Sequence, residues 1–149
     1  MEQESSKLAP LEPISDNIDR DWLLQHLVTH ANLAKDFHQP ITLWMAGGMI
    51  SGVLVSGQEY FDAYTEQFVS RFTPEAAEGT RKTLRDIGSR YYEEDESPDA
   101  SNTIFIHLIN AQFWTPSGSI PSSKGAGMVW RGRLSQVTGF SLGQLEKAE

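Results

Sequence analysis

Two apolar segments joined by a Gly-Gly turn constrain the fold of this chain more than any other feature. Residues 41–45 alternate as a strand, Gly47 and Gly48 form a tight turn, and residues 49–55 return as a second strand. Apolar runs joined by a short glycine turn are a strong signal for an antiparallel hairpin. Gly52 lies within the returning strand, where a glycine usually marks a bulge or a sharp bend. We therefore expect a small, bent antiparallel sheet.

Helices are predicted on both sides of this hairpin. Apolar residues recur every three or four positions over residues 17–35, and Asp16 or Asp19 is placed to cap the resulting helix. Ser56, with a glutamate three positions later, forms a capping box that starts a second helix. Residues 74–92 begin with a proline, which is favoured in a first helical turn, and predict a third helix. The last two helices form a pair inserted between strands.

An aromatic stripe repeats every three or four positions in the second helix. It consists of Phe61, Tyr64, Phe68 and Phe72. Side chains with this spacing share one helix face. We expect that face to pack into the core.

The C-terminal half of the chain completes the sheet. Residues 103–114 are almost continuously apolar, as in a strand that is covered on both faces. Residues 115–127 predict a long loop, residues 128–134 a strand with Gly132 at a bend, and residues 137–142 a short last strand. The predicted fold class is α+β. It has an N-terminal helix, an inserted helical pair, and four or five antiparallel strands in a small, strongly bent sheet or a small barrel.

Length and composition place these elements in one domain. A chain of 149 residues fits a single domain, which we expect over residues 16–145. Residues 1–15 are polar and predict a flexible N-terminal arm, and residues 146–149 form a tail. No apolar run approaches the ~20 residues that span a bilayer. The first residues lack the basic and apolar stretches of a signal peptide, so we expect a cytoplasmic protein.

The charge of the chain is unevenly distributed. The formal net charge is −8, which argues against nucleic-acid binding, because phosphate affinity comes mainly from lysine and arginine. Residues 1–100 carry 18 acidic and 8 basic side chains, whereas residues 101–145 carry no acidic ones. This asymmetry is compatible with an acidic face turned toward a basic partner or with head-to-tail attraction between copies. The alternative, which the composition favours, is ordinary solvated charge on the surface.

No residue pattern indicates catalysis or metal binding. The chain has no cysteine, which excludes disulfides and thiolate chemistry. His26 and His30 have metal-ligand spacing on a helix but no evident third ligand, so we interpret them as surface histidines. His107 lies in the most apolar strand, without a serine or carboxylate at useful spacing, and is interpreted as a core histidine. We expect a protein without enzymatic activity, metal or cofactor.

A partner-binding surface is predicted around the loop at residues 115–127. Long loops in compact domains are usually functional or disordered, and Ile120 is the one large apolar residue in this loop. We expect Ile120 to be an exposed anchor, with Lys124, Arg131 and Arg133 beside it as the charged part of the surface. Strand alternation places both arginines on one face and Trp130 on the other. The alternative is that the arginines pair with acidic residues of the inserted helices.

Three stretches resemble one known family. They read ITLWMAGGMISGVLVSGQEYF at 41–61, FIHLINAQFWTP at 105–116 and WRGRLSQVTGFSLG at 130–143. Together they resemble the gas-vesicle accessory protein family GvpU, over roughly residues 20–145. The resemblance implies a cytoplasmic, non-enzymatic protein that associates with itself and with gas-vesicle proteins, and that affects vesicle assembly or clustering.

A second resemblance concerns the fold alone. Gly47 and the segment 52–54 resemble the first motif of Sm-like barrels, and residues 105–113 would fit a later strand of that barrel. This likeness specifies the barrel alternative as Sm/SH3-like and implies an RNA-binding module. The chain departs from the pattern, because Gln58 and Asp62 stand where such proteins usually have aspartate and asparagine. A small-molecule site between helices and sheet remains a third alternative.

Overall fold

A computed structural model describes residues 19–34, 36–92, 100–122 and 125–147 of the chain. The predicted arm at 1–15 and Lys124 lie outside these ranges. The described residues form three α-helices and six β-strands, together with short 3₁₀ turns at Ala100–Asn102 and Leu134–Gln136. In chain order the elements are α1 (Trp22–Leu33), β1 (Gln39–Met45), β2 (Gly48–Leu54), α2 (Gly57–Val69), α3 (Pro74–Tyr92), β3 (Phe105–Thr115), β4 (Gly118–Ile120), β5 (Met128–Arg133) and β6 (Val137–Leu142).

All the strand pairs of the sheet are antiparallel. The strand order is β4-β3-β2-β1-β6, and β5 pairs with β3 alongside β4. The α+β class and the small bent sheet are therefore confirmed. The sheet is open, so the Sm/SH3-like barrel is not formed by the described strands. It also has six strands instead of four or five, because β4 forms a hairpin with β3 inside the segment predicted as loop.

A bulge in β3 bends the sheet at the position that Gly52 marks. Asn110 and Ala111 of β3 face the single residue Gly52 of β2, and Asn110 has a φ of 49°. Asparagine tolerates this left-handed conformation better than most residues, and its Oδ1 accepts a hydrogen bond from the Gly127 N–H at 2.9 Å. At Gly132, where a second bend is predicted, the ladder with β3 keeps its register. This glycine leaves space for the indole of Trp130, which occupies the position a Cβ would need.

One face of the sheet forms the core with α1. Asp21, and not Asp16 or Asp19, caps this helix, because its Oδ1 accepts hydrogen bonds from the N–H groups of Leu23 and Leu24. The fully or almost fully buried residues of the core come from α1, the three central strands and the 3₁₀ turn after β5: Leu24, Val28, Ala31, Ile41, Leu43, Ile50, Leu54, Ile106, Leu108, Ala111 and Leu134. Burying each large aliphatic side chain contributes roughly 1.5–3 kcal/mol to folding.

The opposite face is covered in two parts. The helical pair α2–α3 contacts β3 and β5 at one end of the sheet. In the middle, the segment after β6 crosses the strands: the Thr42 hydroxyl donates to the Gly143 carbonyl at 2.8 Å, and the Leu145 N–H donates to Ser51 Oγ at 2.7 Å. The chain therefore turns inward once β6 has ended. Among the described helices, none has the length and apolarity that crossing a bilayer requires.

The aromatic stripe of α2 leaves the core within two turns. Phe61 and Tyr64 are half-buried beside Tyr60, which packs on His107 of the sheet, whereas Phe68 and Phe72 are 48% and 41% exposed. The prediction that the stripe packs into the core is therefore wrong for its second half. Tyr60 is the residue of α2 that packs on His107 of β3. Phe68 lies about 12 Å farther along the helix axis, which places it past this contact with the sheet. Its neighbours are the rings of Tyr64 and Phe72 instead, at centroid distances of 6.0 and 5.5 Å.

The bulge gives a stability prediction with a matched control. A Cβ at Gly52 would lie 3.0 Å from both the Cα of Ala111 and the carbonyl oxygen of Ile109, which are backbone atoms. We expect Gly52→Ala to lower the free energy of unfolding by about 1–3 kcal/mol, as overpacking commonly does. Gly139→Ala is the control, because a Cβ there meets nothing within 4 Å. Urea unfolding of both variants measures the effect, and equal midpoints would contradict the close approach.

Candidate functional site

Arg131 and Arg133 lie side by side on the face of β5 that is opposite Trp130. Arg133 pairs with Phe105 across the strands, and Arg131 pairs with His107. The guanidinium carbon of Arg131 lies 3.5 Å from the centroid of the Phe105 ring, and that of Arg133 lies 5.8 Å from it. The shared face predicted from strand alternation is confirmed. One phenylalanine thus supports two exposed cations.

His107 connects Arg131 to both inserted helices. Its Nε donates a hydrogen bond to His107 Nε2 at 3.2 Å, and the Tyr92 hydroxyl at the end of α3 lies 3.2 Å from the same nitrogen. The Tyr60 ring from the start of α2 packs on the His107 ring, at a centroid distance of 4.8 Å. Because an arginine Nε always carries a hydrogen, His107 Nε2 must be the acceptor. The proton of the neutral ring is therefore on Nδ1.

The environment of His107 keeps its ring uncharged. Burial, and secondly the charge of Arg131, lower the pKa of His107 from 6.5 to about 3. Its Nδ1 is buried and has no hydrogen-bond partner within the described part of the chain. Burial also raises the pKa of the Tyr60 and Tyr92 hydroxyls above the ordinary 10.0. His107 is a core histidine as predicted, and its Nε2 accepts the hydrogen bond from Arg131.

No carboxylate in the described ranges lies within ion-pair distance of Arg131 or Arg133. The ion pairs found there involve other residues: His38 contacts Glu59 at 2.8 Å, and Arg81 contacts Glu66 at 2.8 Å. The alternative in which acidic residues of the inserted helices neutralise the two arginines is therefore not observed for the described helices. Both guanidinium groups remain exposed. They can donate charge-assisted hydrogen bonds to carboxylates of another molecule.

The structure separates Ile120 from the two arginines. Ile120 pairs with Phe113, which pairs in turn with Ile50, so Ile120 lies on the α1 side of the sheet. Arg133 pairs with Phe105, eight positions earlier in β3 and roughly 25 Å away along the strand. The expected single surface is wrong, because these residues lie on opposite faces and at opposite ends. Ile120 is 63% exposed, as expected for an anchor, and Lys124 lies outside the described residues.

The remaining histidines on α1 are surface residues, as the sequence indicated. His26 is exposed and its ring contacts that of Trp22 edge-on, and the exposed His30 contacts Phe37 in the same way. In the ranges that the structure describes, no three histidine or acidic side chains come together where they could hold a metal ion.

Sequence reasoning missed the aromatic and histidine support of the arginine pair. Phe105, His107, Tyr60 and Tyr92 come from three different elements, and no spacing in the sequence connects them. The one available signal is that the arginines flank a glycine on a strand, which predicts their shared face but not their neighbours. Long-range pairing of β3 with β5 brings the cluster together.

The chain was compared with models of known protein families. A family model described as gas vesicle protein GvpU-like matches residues 21–145, from the start of α1 to just beyond β6. The match covers most of the chain. The chain belongs to the GvpU-like family.

This result confirms the resemblance carried by the three stretches at 41–61, 105–116 and 130–143. The arginine pair and its support at residues 105–107 lie inside the matched region, as does β6. No curated protein and no solved structure matches the chain at the level of significance applied. The GvpU-like assignment therefore rests on the family match and associates the chain with gas vesicles.

The neutral state of His107 predicts how stability depends on pH. The pKa of His107 is about 3 in the folded protein, whereas an unfolded histidine titrates near 6.5. Between these values the unfolded chain binds the extra proton, so stability must fall as pH drops from about 6.5 toward 3, by up to ~1.4 kcal/mol per pH unit. We expect the difference in unfolding free energy between the parent and His107→Gln to shrink over that window. Urea unfolding at pH 7 and pH 5 measures it, and a constant difference would contradict the assignment.

Proposed function

We propose that this chain is a non-enzymatic accessory protein of gas vesicles in the cytoplasm. In this role it binds itself and a gas-vesicle shell or accessory protein, and it affects vesicle assembly or clustering. The observation that carries the proposal is the match of residues 21–145 to the GvpU-like family. The arginine pair of β5 is the proposed contact for an acidic surface of the gas-vesicle protein.

Preorganisation favours the arginine pair as a binding surface. An arginine that is already stacked and hydrogen-bonded loses less side-chain freedom on binding than a freely rotating one. Arg131 meets this condition through Phe105 and His107. Arg133 shares the Phe105 ring and extends the cationic surface. A carboxylate that approaches this face therefore finds planar donors whose geometry is largely set.

The charge around this surface supports an acidic partner. Residues 101–145 contain no acidic side chain, whereas the complete chain has a net charge of −8. An acidic partner is therefore repelled by the net charge of the chain and attracted locally by the guanidinium groups of Arg131 and Arg133. The effect orients the partner more than it strengthens the complex. Such binding must weaken as the salt concentration rises.

Ile120 and Lys124 remain proposed contacts of a different surface. Ile120 is exposed at the end of β4, on the other side of the sheet from Arg131. The partner bound by the arginines cannot reach Ile120 from that side, so Ile120 would contact a second partner molecule. An accessory protein with two separate contact surfaces can join two partners, which is what clustering of vesicles requires.

Flotation with isolated gas vesicles tests the arginine surface. Vesicles rise on centrifugation, so bound protein is recovered in the floating layer. We expect Arg131→Gln with Arg133→Gln to reduce recovery at least ~10-fold, because losing two charge-assisted contacts costs more than ~1.4 kcal/mol. The control, Arg85→Gln with Arg90→Gln, removes the same charge from α3. It should float like the parent protein.

Two results would reject the arginine surface. The first is undiminished flotation of the Arg131 and Arg133 variant, provided that its unfolding midpoint shows an intact fold. The second is an equal loss in the α3 control, which would indicate a response to net charge. Ile120→Ser should leave this recovery unchanged and reduce the cross-bridging of vesicles seen by light scattering. Tight, steeply salt-dependent binding of RNA would favour the nucleic-acid alternative instead.

A further inference from the structure

The outer edge of strand β6 has hydrogen-bonding groups that no described strand uses. It pairs only with β1 among the described strands, and the Gly143 N–H donates to the Pro40 carbonyl at 2.8 Å. In an antiparallel ladder the residues that bond to a given neighbour alternate. Gly143 bonds toward β1, as do Ser141 and Gly139 by this alternation. The N–H and C=O groups of Phe140 and Leu142 therefore point away from the sheet.

From Gly139 to Gly143 this edge lacks the features that usually prevent strands from pairing between molecules, and the one irregularity in its ladder with β1 lies before this segment, at Thr138. Edge strands are commonly protected by charged side chains, prolines or bulges directed at the edge. Residues 137–143 (VTGFSLG) contain neither charge nor proline, whereas β5 at the other edge carries Arg131 and Arg133. The side chain of Leu142 is 62% exposed. Because the following chain turns inward to Ser51, it leaves the outer side of β6 uncovered.

We propose that β6 pairs antiparallel with β6 of a second copy of this chain, about a two-fold axis at Ser141. In this register Leu142 of each copy faces Phe140 of the other, and the outward N–H and C=O groups of the two residues bond to each other. The exposed Leu142 packs beside Phe140 on the same sheet face. This inference specifies the self-association in the proposed function and leaves the arginine surface free for another partner.

Self-complementarity identifies the second copy as the occupant. The same two residues supply every donor and acceptor in both molecules, and no charged side chain of β6 is brought against its own copy at the axis. A single pair of six-residue strands buries less than the ~1,200 Å² of a standard stable interface. The pairing must therefore be weak and dependent on concentration. Added salt should strengthen it, because each copy has a net charge of −8, whereas head-to-tail charge attraction would weaken with salt.

A single cysteine tests both the contact and its register. The protein has no cysteine, so Ser141→Cys introduces one thiol, located at the proposed axis. Residues at such an axis form a non-hydrogen-bonded pair with Cα atoms about 4.5 Å apart, within disulfide range. Mild oxidation should then convert most of the protein to a covalent dimer. The control is Gly139→Cys, on the same strand face and with open space for a Cβ, whose two copies would be separated by several positions.

The proposal is overturned if Ser141→Cys forms no more dimer than Gly139→Cys. A second variant tests the interface without oxidation. Leu142→Lys should shift the monomer–dimer equilibrium at least ~10-fold toward monomer in sedimentation experiments. Leu23→Lys adds the same charge at an exposed leucine of α1 and should not shift it. Equal behaviour of the two lysine variants would also overturn the proposal. Both experiments use the purified protein without vesicles, so their failure is distinguishable from failure of the proposed vesicle binding.

Discussion

A single uncharged imidazole connects the elements that form the proposed binding surface. His107 on β3 contacts Tyr60 of α2, Tyr92 of α3 and Arg131 of β5. Charging the ring would place a second cation beside Arg131 in a buried site, which is why its pKa falls to about 3. The neutral ring instead accepts the hydrogen bond that orients Arg131. The packing of the helical pair on the sheet and the orientation of Arg131 therefore both depend on the side chain of His107.

Much of the fold could be predicted because its signals are local. The Gly-Gly turn, the N-cap at Ser56 and the apolar run of β3 each lie within about a dozen residues and appear as expected. The second half of the capping box is not formed, because the Glu59 carboxylate contacts His38 instead. The errors concern features that depend on distant partners. β4 exists because residues 118–120 find the end of β3, and the bulge is at Asn110 because Gly52 lies opposite it. The exposure of Phe68 follows from where α2 leaves the sheet.

The same distinction applies to the candidate site. Alternation along one strand was sufficient to place Arg131 and Arg133 on a common face. Their distance from Ile120 could not be predicted, because it depends on β4 and β5 pairing with opposite ends of β3. Proximity along the chain was therefore a poor guide to proximity in space. The support from Phe105 and His107 arises from that same long-range pairing.

We propose Arg131 and Arg133 as the residues that contact an acidic gas-vesicle partner. Arginine-selective chemical labelling, followed by mass spectrometry, measures this directly on the unmodified protein. The guanidinium groups of these two residues and of Arg85 and Arg90 can be compared in the same sample, with and without vesicles. We expect vesicles to protect Arg131 and Arg133 while Arg85 and Arg90 stay reactive. Unchanged labelling of Arg131 and Arg133 on vesicle-bound protein would exclude this contact.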